Sequence, residues 1–244
     1  MFFFPGSGNR NLLGFLHYSG KILGKTGIVY CHPFAEEKNM SHSIVVKTAR
    51  LFAEAGFPVF RFDLSGCGDS DGDLQFSSIE DWQADFNSAI KVFQKESGVS
   101  NVFLWGLRLG ADLCLLQQQL SDDIAGLILW QPVLNFSAHI KQFMRRVISS
   151  QILKGNKLDS EPSIEDEMQR DGLTHIIGYP ISKHLFNSFN LMANKPEDIA
   201  PAVSVFILSI SLMDQSASVL KQYSERLKKS GTPAVLQHVK AEPF

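Results

Sequence analysis

Disulfide chemistry is the first thing this chain of 244 residues lacks. Its three cysteines, Cys31, Cys67 and Cys114, lie far apart in or beside segments that read as core, and none has metal-ligand spacing. Reduced thiols in a cytoplasmic protein are therefore the expectation. An excess of one charge sign is lacking too: Lys and Arg number 23 against 25 Asp and Glu, for a net charge of -2. With no basic stripe interleaved with aromatics, a nucleic-acid partner is not expected. The apolar start Met1-Phe2-Phe3-Phe4 has no basic residue before it and is broken by Pro5, Gly6 and Gly8. It is too short for a signal peptide, and no membrane span is expected. There is no internal repeat and no long linker. The loop Gly66-Cys67-Gly68 lacks the Gly-Lys-Ser/Thr that would complete a phosphate cradle, so neither a cofactor nor a metal is expected.

What is present is enough apolar sequence for one α/β domain over residues 1–244, with 44% hydrophobic and 20% charged residues. Short β-rich runs alternate with helical ones, the order of a mainly parallel sheet covered on both faces. Strands are expected at Phe2 to Phe4, Leu12 to His17, Gly27 to Cys31, Pro58 to Asp63, Val102 to Trp105, Ile124 to Trp130, Val203 to Leu208 and Ala234 to Val239. Helical spacing marks Ser41 to Ala55, Ser78 to Lys95 with Ser78 as N-cap, Ala111 to Leu116, and Ser216 to Lys229. Between about 136 and 195 the alternation breaks down into a mostly helical stretch with an acidic tract from Asp159 to Glu167. An insertion at this point of the order is expected to form a lid over the strand C-termini, where open α/β sheets bind ligands.

The most informative segment is Gly106-Leu107-Arg108-Leu109-Gly110, between an apolar strand and an apolar helix. This is the setting of the Gly-x-Ser-x-Gly nucleophile elbow, whose glycines allow a sharp turn that lifts the central side chain above the sheet. Here the central residue is Arg108. A guanidinium stays protonated and cannot attack a carbonyl, so serine-hydrolase chemistry is not available at this position.

Three segments carry a family resemblance: His32-Pro33-Phe34-Ala35-Glu36-Glu37-Lys38-Asn39, the run from Asp63 to Asp73, and Trp105 to Ala111, together with the opening Phe3-Phe4-Pro5-Gly6 and the ending Glu242-Pro243-Phe244. In these the chain resembles the exosortase A system-associated hydrolase 2 family of the α/β-hydrolase superfamily. The resemblance implies an α/β-hydrolase fold, an arginine at the elbow as a family trait, and a setting of exopolysaccharide production and protein sorting.

A triad on this fold runs nucleophile, acid, histidine along the chain. Asp214 stands at the acid position, equally readable as a helix N-terminal acid. His238 is the histidine nearest the expected place, but it lies within the last strand. Phe34 and Leu109 stand where the fold puts its two oxyanion N–H donors, and His32 is a loop-entry residue that would hold the same turn. Cys67 is the one thiol considered as an alternative nucleophile. A buried Arg108 needs an acidic partner, among Glu36, Glu37, Asp69 and Asp214, or an anionic ligand. Two functions follow as expectations. The first is a non-hydrolytic binding or accessory protein that holds a small anionic or acyl ligand around Arg108, Phe34, Leu109 and His32. The second is an ester or thioester hydrolase with a non-standard nucleophile or an activated water.

Overall fold

The computed structural model describes residues 1–121, 123–143, 164–191 and 196–242. Its elements run β1 (Phe2–Pro5), β2 (Asn11–His17), β3 (Thr26–Cys31), α1 (Glu36–Glu54), β4 (Val59–Phe62), α2 (Ile79–Ser97), β5 (Asn101–Leu107), α3 (Leu109–Gln118) and β6 (Ile124–Trp130). A helix α4 is described over 136–143. Then follow α5 (Ile164–Asp171), β7 (Leu173–Ile176), β8 (Tyr179–Ser182), α6 (Lys183–Leu191), β9 (Ser204–Ser211), α7 (Ser218–Lys229) and β10 (Ala234–Lys240).

Eight strands form one sheet in the order β1-β2-β4-β3-β5-β6-β9-β10. β1 pairs antiparallel to β2 and β2 to β4; every later pair is parallel. The two-residue period of a strand sorts side chains between two layers. On β5, Val102 and Leu104 join the core under α2, α3 and α7, while Trp105 and Leu107 join Tyr30, Val45, Ala49 and Val59 under α1. Parallel strands buried on both faces explain why these runs read as continuously apolar.

Local chemistry sets the helix ends. Ser78 caps α2 by accepting a bond from the Asp81 N–H at 3.0 Å, and Gly98, at φ 70°, closes its C-terminus. α1 begins five residues before the apolar periodicity does, because Glu36 and Glu37 suit the positive end of the helix dipole. The insertion departs from the mostly helical expectation: β7 and β8 form an antiparallel hairpin through Ile177 (φ 51°) and Gly178 (φ 81°). Two consecutive left-handed residues are what a tight hairpin turn requires. Residues 159–163 of the acidic tract and Pro243-Phe244 of the ending motif lie outside the described residues.

Candidate functional site

Arg108 links β5 to α3 with φ 55° and ψ -117°, a backbone state that costs a non-glycine residue roughly 1–3 kcal/mol. The surroundings enforce it. Its N–H donates to the Trp130 carbonyl at 2.9 Å, and its own carbonyl accepts from Ala111 N at 3.0 Å. A Cβ at position 106 would overlap the Gly110 carbonyl, and one at position 110 would overlap the Cys31 carbonyl. The two glycines thus let the start of α3 press against both β5 and the turn after β3, so that strand passes to helix through the single residue Arg108.

The guanidinium is held by two elements. Nε donates to Glu37 Oε1 at 3.3 Å and Nη2 to Gln142 Oε1 at 3.1 Å. Glu37 is in place because α1 starts immediately after Ala35, itself strained at φ 49° and ψ -127°. The other three carboxylates weighed as partners are engaged elsewhere or do not reach Arg108. Glu36 accepts from the Tyr179 hydroxyl at 3.1 Å, Asp214 pairs with Lys240 at 2.7 Å, and Asp69 forms no ion pair with Arg108 among the described residues. A cation at the N-cap of α3 opposes that helix's dipole, and the buried Glu37 carboxylate offsets it. His139 Nε2, on α4, stands 4.0 Å from the second Glu37 oxygen.

On one side of Arg108 the space is filled with rings. Phe34, 2% exposed, has the rings of Phe143, Phe189, Trp82 and His139 at 5.0, 5.7, 6.0 and 6.2 Å. Leu109 is equally buried. His32 donates from Nδ1 to the Pro33 carbonyl at 2.7 Å and accepts at Nε2 from the Leu64 N–H at 3.2 Å. Burial, reinforced by the Lys38 charge, pushes its pKa down to about 4, so it ties two strand ends together as a neutral ring.

On the other side lies a cleft of about 1020 Å³ between the ends of β6 and β9 and the start of α7, lined by Arg108, Gln131, Gln142, Ser209, Ser211 and Asp214. Phe34, Leu109, His32 and His238 do not line it. Asp214 has a side chain 87% exposed. His238 Nε2 lies 2.9 Å from the Met213 carbonyl. Acid and imidazole therefore approach the same loop, but each is bonded elsewhere and no hydrogen bond joins them. Burial pushes the Cys67 thiol up to about 12, against the reactivity of a thiolate.

Three residues that the sequence did not single out belong here, Gln142, His139 and Asp112, beside Glu37, which it did name. Glu37 was one of four candidate acids with nothing to rank it. Gln142 and His139 sit in an insertion without a clean period. Asp112 follows Arg108 by one helical turn, a spacing that could have marked it. It is fully buried, accepts from the Leu134 N–H at 2.9 Å, and burial raises its carboxyl to about 7 against the pull of that bond and of Arg108.

The family model for serine aminopeptidases, S33, matches residues 25–242. Est1E from Butyrivibrio proteoclasticus with bound ferulic acid superposes with a TM-score of 0.69 at 18% identity, over 98% of this chain and 89% of that one. A putative hydrolase from Agrobacterium vitis S4 gives 0.65 at 18% identity, over 99% and 88%. The mouse alpha/beta hydrolase domain-containing protein 10 gives 0.63 at 17% identity, over 99% and 88%. At such identities the likeness is one of fold, the α/β-hydrolase fold. No curated protein matches the sequence. Among the described residues no helix is long and apolar enough to cross a membrane.

Proposed function

This chain belongs to the serine aminopeptidase S33 family of the α/β-hydrolase superfamily, and we propose that it binds a ligand at its elbow instead of hydrolysing one. The carrying observation is the Arg108 turn. It keeps the left-handed backbone and the two tight glycine contacts that an elbow needs, while presenting a guanidinium tied to Glu37 and Gln142. A protonated guanidinium supplies no electron pair, so the part it plays is recognition. The cleft beside it offers hydroxyl and amide groups from Ser209, Ser211, Gln131 and Gln142. A small molecule with an anionic head, such as an acyl carboxylate, suits that lining.

The resemblance of its sequence motifs to those of the exosortase-associated hydrolases favours an accessory role, in the cytoplasm, alongside exopolysaccharide production or the sorting of membrane-anchored proteins. Arg108 takes the anionic head, α3 contributes the positive end of its dipole, and the lid rings exclude water from the Phe34 side. The test is reactivity. Short acyl p-nitrophenyl esters, acyl-CoA thioesters and a fluorophosphonate probe should give neither turnover nor a covalent adduct. Turnover that persists in Asp214→Asn, Cys67→Ala and His238→Ala variants would instead favour a hydrolase using residues outside this site.

A further inference from the structure

We propose a second binding site, an oxyanion pocket centred on Arg61, between α1 and the β2-β4-β3 part of the sheet. It is a cavity of about 280 Å³ lined by Phe15, Tyr30, Lys38, His42, Arg61 and Asp63, among others, and it shares no lining residue with the Arg108 cleft.

The alternation of β4 creates it. Phe60 and Phe62 go into the core under α2, so Arg61 points to the α1 face. There its guanidinium lies 5.2 Å from the centroid of the Phe15 ring, and Nε donates to His17 Nε2 at 2.9 Å. That imidazole is no counter-charge. Burial, and after it the Arg61 charge, hold its pKa down to about 4, so it accepts as a neutral ring. Two acids line the pocket, Asp63 and Asp69; Asp63 is engaged by Lys38 at 2.9 Å and by the Asp69 N–H at 3.2 Å, and it acts on Arg61 only through its field. No carboxylate among the described residues forms an ion pair with Arg61, its Nη1 and Nη2 make no hydrogen bond there, and Arg50 adds a like charge nearby. Desolvation accordingly lowers the Arg61 pKa.

A second polar group is also left over. Tyr30 is 3% exposed, and its hydroxyl has no partner at hydrogen-bonding distance. Ser41 is the side chain that approaches it, and the Ser41 hydroxyl donates its own hydrogen to the Glu37 carbonyl at 2.7 Å. A largely buried cation with unused Nη1 and Nη2 hydrogens, beside a buried hydroxyl with no partner at hydrogen-bonding distance, leaves two kinds of group unsatisfied in one cavity. Two oxygens of a carboxylate or phosphate match the guanidinium fork, and the tyrosine donates a third bond. The cavity size limits the ligand to a small metabolite or the head of a larger one.

The experiment uses the whole chain, titrated with inorganic phosphate and with malonate at constant ionic strength, with chloride as the ionic control. Binding is read from the thermal midpoint and by calorimetry. Phosphate, malonate or both should bind the wild type and Arg108→Gln alike, and the preferred anion identifies the head group. Arg61→Gln should weaken binding about tenfold or more, as loss of a bidentate charged contact does. Tyr30→Phe removes a hydroxyl with no partner at hydrogen-bonding distance, so it should fold normally and still weaken binding about threefold or more. The proposal is overturned if neither anion stabilises beyond chloride, if Arg61→Gln binds like the wild type, or if Tyr30→Phe does.

Discussion

The two sides of the Arg108 turn differ in what fills them. Over Phe34 the insertion elements α4 and α6 press Phe143, His139 and Phe189 down until the ring is 2% exposed, while toward β9 and α7 a cleft of about 1020 Å³ with a mixed polar and apolar lining stays open. The Phe34 side is dry and occupied by the protein itself. The β9 side is open, and hydroxyl and amide groups share its lining with Val133, Ile210 and Met213. The difference teaches that the same backbone turn can keep its strain while the space available to a ligand lies on one flank only.

The largest effect should come from the packed side. Phe189→Ala, which removes a ring 5.7 Å from Phe34 and 6.3 Å from Trp82, should cost roughly 3–5 kcal/mol in urea unfolding and leave ligand binding in the cleft unchanged. A cost near zero would mean that the rings are not a packed core, and the contrast between the two sides would fail.

Asp112, one helical turn below Arg108, should report through pH. Burial raises its carboxyl from the ordinary 3.8 to about 7, with the Leu134 N–H and Arg108 opposing the rise and Glu197 adding to it. Between those values the folded chain keeps a proton that the unfolded chain releases. Stability from this group is therefore fully present below the unfolded value and is lost as pH rises through 7, by roughly 4 kcal/mol. Asp112→Asn should flatten that fall in unfolding measured from about pH 4 to about pH 8. An unchanged slope would show that Asp112 is ionised in the fold.

Arg108→Ala should cost about 2 kcal/mol, less than the 3–5 typical of a stripped buried charge, because the Arg108 side chain is 21% exposed and His139 stands 4.0 Å from Glu37. The smallest effect belongs to Asp214→Asn. Its pair with Lys240 is mostly in water, with side-chain exposures of 87% and 61%, and the change should stay within about 0.5 kcal/mol by thermal unfolding. A larger loss would give Asp214 a part in the fold that its exposure denies it.

Much of the fold was legible because burial on both faces writes itself into a parallel sheet: the strands around Val29, Leu104 and Leu127 are apolar without interruption. The strained turn was legible for a different reason, since two glycines flanking one residue between strand and helix leave few backbone solutions. The early start of α1 was not, because Glu36 to Met40 carry no apolar period and their helicity comes from charge against the dipole. The partner of Arg108 was undecided for a related reason. Four carboxylates lay on suitable loops, and only the placement of α1 brings Glu37 within reach. His139 and the aromatic cluster depend on how the insertion folds back, a long-range contact that no local pattern encodes. The hairpin at Ile177-Gly178 escaped because neither flanking strand exceeds four residues.

The most direct measurement is calorimetric titration of a series of short and medium acyl carboxylates into the wild type, Arg108→Gln and Phe189→Leu. At least one carboxylate should bind the wild type, weaken with salt, lose about tenfold or more in affinity in Arg108→Gln, and bind Phe189→Leu unchanged. Equal binding by the wild type and Arg108→Gln, or binding that follows Phe189 in place of Arg108, would contradict a ligand site on the open side of the turn.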